Sequence, residues 1–329
     1  MTDLSLLRDA DPATARALLQ STPAEDLVAA IRATDDDELL ALIGSDRIRP
    51  VAIEVLLGRL HEYAVRERVA ALDGVVRFDL TRRELVLERP ALEFRNGRIT
   101  PLIGGDRETP ADVVLTTSLL RFVRLLSGEL NAGLEFLAGT LDIDGDAGLA
   151  LGIGGIFCVP GTGRVAMNPT QLDPVDVATV LGHVGRDHLE KVMTSDFRPV
   201  VLGEIFRRLP DYLNQRKAKG AALTVGFRLL GNPSGEVEQY VVRVQHGVAT
   251  VESGDPTADP DATVTCQGHD YLRLATGHLS PVIGVLKGTI KVTGDQAKAL
   301  RLSSIIEIPS ARPQSSGRSG LSMNSVKRR

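Results

Sequence analysis

An internal duplication is the feature of this chain that most constrains its fold. Residues 112–151 align with residues 261–300 without a gap, at a constant offset of 149 positions. About twelve of the roughly forty paired positions are identical, and they include glycines at the ends of predicted elements. Matching pairs upstream, such as Arg49-Pro50 with Arg198-Pro199, extend the repeat unit to about 150 residues. The duplication therefore predicts two domains of one fold and excludes a solenoid of short repeats.

Composition and charge are typical of a folded, globular chain. Hydrophobic residues make up 43% and charged residues 24% of the sequence. A net charge of −4 and only 4% aromatic residues argue against a nucleic-acid partner. The N-terminus carries Asp3 and Asp9 in place of the basic start of a secretory signal, and no apolar run is long enough to span a membrane. We therefore expect a cytoplasmic protein.

Each unit is predicted to begin with helices and continue with strands. Apolar residues recur at helical spacing from Ile53 and again from Leu202, and these stripes either pack on their own domain or bind a partner helix. Alternating strands then flank Asn96-Gly97, a strong hairpin signal, and the second unit has His246-Gly247 at this point. The pattern predicts an α+β fold with a mainly antiparallel sheet.

The end of each unit carries a recognisable segment. Residues 136–146 read FLAGTLDIDGD, and residues 285–295 read VLKGTIKVTGD. Both segments, with the strand and helix that precede them, resemble the sterol carrier protein 2 (SCP2) family. The resemblance implies a five-stranded sheet covered by helices around an apolar tunnel for a lipid, with no catalytic residue and no cofactor. It predicts two tandem SCP2-like domains.

Domain boundaries follow from the repeat and the resemblance. We predict an N-terminal helical extension (1–70), a first SCP2-like domain (71–157), a linker with the helical extension of the second repeat (158–218), a second SCP2-like domain (219–308) and a disordered basic tail (309–329). The tail is rich in serine, glycine and arginine and contains no acidic residue, so it is predicted to be solvated or to contact anionic surfaces weakly.

Candidate tunnel-wall residues are the apolar positions of these helices and strands. In the first unit they are Phe122, Leu126, Leu134, Phe136, Leu137, Leu149 and Ile153; in the second they are Tyr271, Val282, Ile283, Val285, Leu286 and Leu302. Each is equally well explained as ordinary core, and only a cavity separates the two interpretations. The last helix of the first unit contains several glycines and is predicted to end near Gly152, or to move as a gate. Its counterpart carries Gln296, Lys298 and Arg301, so the two pockets can differ in ligand.

The candidate motifs for metal binding or catalysis lack the required spacing or residue types. Asp142 to Asp146 resembles a calcium loop but has its glycine at the wrong position and no closing glutamate. His183 and His188 lack zinc spacing and are predicted to be solvated helix residues, while Cys158 and Cys266 form no metal or redox pattern. No catalytic triad or phosphate-binding loop is recognisable.

The function expected from the sequence is non-enzymatic binding, and possibly intracellular transfer, of a sterol, fatty acid, acyl-CoA or phospholipid. A membrane or an enzyme would be a transient partner, and the two repeats are expected to form an intramolecular pseudo-dimer. The alternative is an interaction scaffold that keeps the fold with a filled pocket. An enzyme would need a convergent polar cluster, which neither repeat shows.

Overall fold

Two units of matching architecture follow one another in the computed structural model of the protein. The structure describes residues 4–103, 110–158, 160, 168, 171–254 and 259–308. The predicted basic tail lies outside the described residues. No helix in the described part of the chain is long and apolar enough to cross a membrane.

The first unit is built from helices, a sheet and further helices. Its elements are α1 (Pro12–Ser21), α2 (Ala24–Ala33), α3 (Asp36–Ile43), α4 (Arg49–Arg59), α5 (Arg66–Val69), β1 (Gly74–Arg82), β2 (Leu85–Glu88), β3 (Ala91–Arg95), β4 (Arg98–Leu102), β5 (Val113–Ser118), α6 (Leu119–Leu126), α7 (Ala132–Ala138), β6 (Leu141–Gly145) and α8 (Ala147–Ile156). Side-chain caps start several helices: Asp35 begins α3, Asn131 begins α7 and Asp146 begins α8.

The second unit repeats this order. Its elements are α9 (Pro174–Leu181), α10 (Arg186–Thr194), α11 (Arg198–Arg208), α12 (Gln215–Ala218), β7 (Ala222–Leu230), β8 (Glu238–Gln245), β9 (Val248–Ser253), β10 (Ala262–Gln267), α13 (Gly268–Ala275), α14 (Pro281–Leu286), β11 (Ile290–Gly294) and α15 (Gln296–Ile305). The predicted mixed α+β architecture is confirmed for both units.

The two sheets share one strand order and one register. The first runs β4-β3-β1-β5-β6 and the second β9-β8-β7-β10-β11. In each, the central pair is parallel, with Val76 opposite Val113 and Val225 opposite Ala262, and the other pairs are antiparallel. The first sheet has a sixth strand, β2, which folds back on the end of β1, so the prediction of five strands is wrong for this unit.

A glycine at the end of the last strand is required in both units. Gly145 and Gly294 have φ of 104° and 80°, a left-handed conformation that side chains disfavour. A Cβ atom would lie 2.1 Å from the Asp112 carbonyl oxygen at Gly145 and 2.5 Å from that of Asp261 at Gly294. The repeated glycines therefore mark close backbone contacts between β6 and β5, and between β11 and β10.

The helical lead-in of each unit is tied to its sheet by a buried arginine. Arg49 at the start of α4 donates from Nε to Glu88 at 2.7 Å, and Arg198 at the start of α11 donates to Glu238 at 2.7 Å. Arg198 is 1% exposed and also donates to the Met193 carbonyl. A buried guanidinium needs this full set of acceptors, so these pairs fix the helix against the sheet.

Helix α8 differs from its prediction. The glycine content indicated an end near Gly152, but the helix continues to Ile156. A Cβ at Gly152 would lie 2.6 Å from Leu72 Cδ2, and the Arg68 guanidinium donates to the Gly155 carbonyl. These glycines permit close packing between α8 and the segment after α5, which overrides their low helix propensity.

Candidate functional site

An apolar cavity of about 400 Å³ lies mainly inside the second unit. Strands β7, β10 and β11 form one wall, with Phe227, Val264 and Ile290 facing inward. The other walls of the cavity in this unit are formed by helices α11, α13, α14 and α15. Strand alternation explains this wall, because Ile290 and Val292 of β11 line the cavity while Lys291 between them is exposed.

The first unit contributes a second wall to the same cavity. Its lining residues are Gly133, Phe136 and Leu137 of α7, Ile143 of β6 and Leu151 of α8. Their counterparts at the 149-residue offset are Val282, Val285, Leu286, Val292 and Leu300, and all five also line the cavity. The same patch of the repeat therefore faces the cavity from both units.

Contacts at the junction of the units hold this arrangement. Helix α7 packs on α9, and the rings of Phe136 and Phe197 lie 4.7 Å apart between centroids. His188 Nε2 lies 3.1 Å from the Phe136 carbonyl oxygen, and Lys191 pairs with Asp142 at 2.6 Å. His188 is thus a partly buried junction residue, and the prediction that it is merely solvated is wrong.

The charged residues of the lining neutralise each other. Arg208 Nε lies 2.5 Å from Glu204 Oε1, and Arg208 also donates to the Leu172 carbonyl. Hydrogen bonds from Arg207, and the nearby charge of Arg208, hold the pKa of Glu204 below its usual value against the opposing effect of burial. Because this pair is satisfied by protein groups, the cavity wall presents chiefly hydrocarbon to a ligand.

The lining residues Phe227 and Tyr271 belong to a cluster of aromatic rings. Phe206 is stacked between Tyr240 and Tyr271, with centroid distances of 3.8 Å and 4.9 Å, and Phe227 meets Tyr271 edge to face. Complete burial raises the pKa of Tyr271 well above its ordinary value. Burial also raises the pKa of the Cys266 thiol to about 12, so this cysteine is not a thiolate nucleophile at neutral pH.

Five of the six wall residues predicted for the second unit line the cavity, and one does not. Tyr271, Val282, Val285, Leu286 and Leu302 line the cavity. Ile283 does not, because it points away from the cavity and is 48% exposed.

Most predicted wall residues of the first unit belong to its core instead. Phe136 and Leu137 line the shared cavity, whereas Phe122, Leu126, Leu134, Leu149 and Ile153 do not. Phe122 packs edge to face on Phe78 at 5.4 Å, and Leu149 and Ile153 are buried. Leu149 is buried where the second unit has Lys298, and Phe157 replaces the cavity residue Ile306.

The lead-in helices of the second unit supply wall residues that the sequence did not single out. Leu172 and Val177, beside and within α9, and Ile205 and Leu209, within and after α11, line the cavity. The apolar stripe of α11 was visible in the sequence, but periodicity cannot tell whether such a stripe faces core or cavity. Among the described residues, no group of three or more His, Cys, Asp or Glu side chains forms a metal site.

Two family models match the chain, one in each half. The SCP-2 sterol transfer family matches residues 53–157, starting inside α4, and the alkyl sulfatase C-terminal family matches residues 202–312. Residues 53–157 therefore form an SCP2 sterol transfer domain, a class of domain that binds and transfers lipids.

Two relatives of this region are much longer than the part that matches. The chain is 27% identical over 105 residues to hydroxysteroid dehydrogenase-like protein 2 of Xenopus tropicalis, covering 32% of this chain and 24% of that protein. It is 29% identical over 107 residues to human sterol carrier protein 2, covering 32% of this chain and 19% of that protein. The chain thus spans about a quarter or less of these relatives.

Two solved structures match part of the chain at lower identity. Sterol carrier protein 2 from Yarrowia lipolytica, in its apo form, matches with 20% identity and a TM-score of 0.29, over 36% of this chain and 97% of that one. The sec-alkylsulfatase Pisa1 from Pseudomonas sp. matches with 17% identity and a TM-score of 0.30, over 40% of this chain and 24% of that one.

Proposed function

We propose that the protein binds one hydrophobic ligand without catalysis, in the cavity of its second unit, and that the first unit serves as a packed wall. The observation that supports this proposal is the apolar cavity of about 400 Å³ at the junction of the units. Its volume falls within the range of about 300–1,000 Å³ that small-molecule sites occupy. A hydrocarbon ligand gains about 0.8 kcal/mol for each CH₂ group that it buries there.

The polar groups of the lining favour an amphiphile whose head stays outside. Arg208 is engaged by Glu204 and by the Leu172 carbonyl, so an anionic head inside would compete with an existing ion pair. The mouth between α14 and α15 is apolar and exposed at Leu286 and Leu300. A fatty acid, acyl-CoA, phospholipid or sterol would thus insert its apolar part and leave its polar end at this mouth.

We also propose that the second unit is a diverged copy of the SCP2 domain and that the two form an intramolecular pseudo-dimer. The shared strand order, the shared register of the parallel pair and the equivalent arginine–glutamate pairs support a common origin. The match of residues 202–312 to a family named for alkyl sulfatases is consistent with an alkyl-chain ligand.

The scaffold alternative is favoured only for the first unit. Its predicted wall residues Phe122, Leu149 and Ile153 are buried in the hydrophobic core and do not line the cavity. We therefore assign it a structural part, and ligand binding to the second unit.

Native mass spectrometry of the purified chain, followed by solvent extraction, tests the proposal. We expect one lipid per chain, or uptake of one fluorescent fatty acid or sterol when the protein is emptied. Ala299→Phe places a ring in the cavity and should lower uptake at least tenfold. Ala297→Phe adds the same ring at an exposed position of the same helix and should leave uptake unchanged. A wild-type chain without lipid that also takes up neither probe would refute the ligand-binding function.

A further inference from the structure

Exposed apolar side chains are concentrated around the cavity mouth. Val282, Ile283, Val285 and Leu286 of α14 are 54%, 48%, 43% and 81% exposed, and Leu300 of α15 is 50% exposed. Except for Ile283, all of them also line the cavity. A protruding cluster of this size marks an interaction surface. We call these five residues, together with Lys287, the α14 face.

The counterpart of this face in the first unit is covered. Phe136 and Leu137 of α7 are 8% and 6% exposed because α7 packs on α9 of the second unit. Helix α14 packs on β11 through Gly284, as α7 packs on β6, but its other apolar side chains stay exposed. The apolar side chains of the same helix of the repeat are therefore buried in the first unit and exposed in the second.

The segments that contain the two faces also differ in charge. Residues 132–156 of the first unit carry only acids: Glu135, Asp142, Asp144 and Asp146. The equivalent residues 281–305 carry Lys287, Lys291, Lys298 and Arg301 against the single acid Asp295. Lys298 pairs with Asp261, whereas Lys287 and Lys291 have no acidic partner among the described residues. The outward face is thus apolar with Lys287 at its end, in a segment whose charge is mainly basic.

We propose that the α14 face docks on an anionic lipid bilayer and presents the cavity mouth to it. This inference rests on the proposed lipid-binding function. Exposed apolar side chains enter the boundary between headgroups and acyl chains, and basic residues near the surface are drawn to anionic headgroups. Because Val282, Leu286 and Leu300 belong to both the face and the cavity lining, a ligand would pass between bilayer and cavity along a continuous apolar path.

A second copy of the chain is a poorer occupant. The helices that cover α7 within the chain are α9 and α10, and the corresponding helices at the start of a second copy are α2 and α3. These keep Leu27 and Leu39 in their own core and expose Glu25 and Asp26. An apolar face would gain little from such a partner.

Co-sedimentation of the full chain with vesicles tests the proposal. We expect binding to vesicles of phosphatidylcholine with about a third phosphatidylglycerol, and weaker binding to pure phosphatidylcholine or in high salt. Ile283→Glu and Lys287→Glu lie outside the cavity lining, and each should lower the partition coefficient about tenfold. Val248→Glu introduces the same charge at an exposed apolar site on β9 and should bind as the wild type does.

Uptake of a fluorescent long-chain fatty acid without vesicles separates the two proposals. The α14-face variants should take up the probe as the wild type does. If the wild type takes up the probe but binds neither kind of vesicle, or if both variants still bind anionic vesicles fully, the docking face is refuted and the cavity function stands. If the wild type carries no lipid and takes up neither this fatty acid nor a fluorescent sterol, the proposed function itself fails.

Discussion

The two units have the same backbone plan and different interiors. The parallel pairs β1–β5 and β7–β10 have the same register, and both sheets end at a glycine with a positive φ. Yet the second unit supplies most of the cavity wall, whereas most of the wall residues predicted for the first unit lie in its core. The comparison teaches that the positions required by the backbone maintain the fold in both units. Side-chain volume determines whether the interior of a unit is packed or contains a cavity.

Truncation of one leucine in each unit gives the largest expected contrast. Leu137 and Leu286 are equivalent, but they are 6% and 81% exposed. Leu137→Ala should lower the free energy of unfolding by about 2–5 kcal/mol, because Leu137 is buried and its loss enlarges the cavity that it lines. Leu286→Ala should change it by less than about 0.5 kcal/mol. Urea unfolding followed by circular dichroism measures both, and equal losses would contradict the assigned environments.

Enlarging one alanine in each unit probes the interiors directly. Ala150 is buried in the first unit, and its equivalent Ala299 lines the cavity of the second. Ala150→Phe should cost about 1–3 kcal/mol of stability, or more, through overpacking. Ala299→Phe should cost less than about 1 kcal/mol, since its ring has empty space to enter. A greater loss for Ala299→Phe would mean that the cavity does not accommodate a side chain.

A smaller effect should appear in the pH dependence of the second unit. Burial lowers the pKa of His269, although Asp270 and Glu190 nearby act in the opposite direction. The unfolded chain would then bind a proton before the native one, so this contribution to stability is present above about pH 6.5 and is lost as pH falls through the lower native pKa. The first unit has Leu120 at this position and lacks the effect.

Unfolding in urea at a series of pH values tests this assignment. The wild type should lose stability below about pH 6.5, and His269→Gln should show a shallower slope over the same range. Identical slopes for the two chains would show that His269 does not titrate differently on folding.

Local signals in the sequence predicted much of the fold. Asn96-Gly97 and His246-Gly247 do form tight turns with positive φ. Such features depend on a few neighbouring residues. Gly152 was misread because its contact with Leu72 is between residues distant in sequence, which local propensity does not capture.

The candidate site was less predictable for a related reason. Leu137 and Leu286 are the same residue in the same motif, yet one is covered by α9 and the other is outward. The difference comes from what packs on the helix, and hydrophobic periodicity contains no information about that. Sequence reasoning could list apolar candidates but could not separate core, cavity and surface among them.

The closing contacts of each unit bear on how the chain is made on the ribosome. In the first unit the Val65 N–H donates to the Ile156 carbonyl, and in the second the Asn214 N–H donates to the Ile305 carbonyl. Each unit therefore joins its lead-in to its own last helix, and the first can close before the strands of the second are translated. Since domains generally fold from the N-terminus during synthesis, this order keeps the similar strands of the two repeats from pairing with one another.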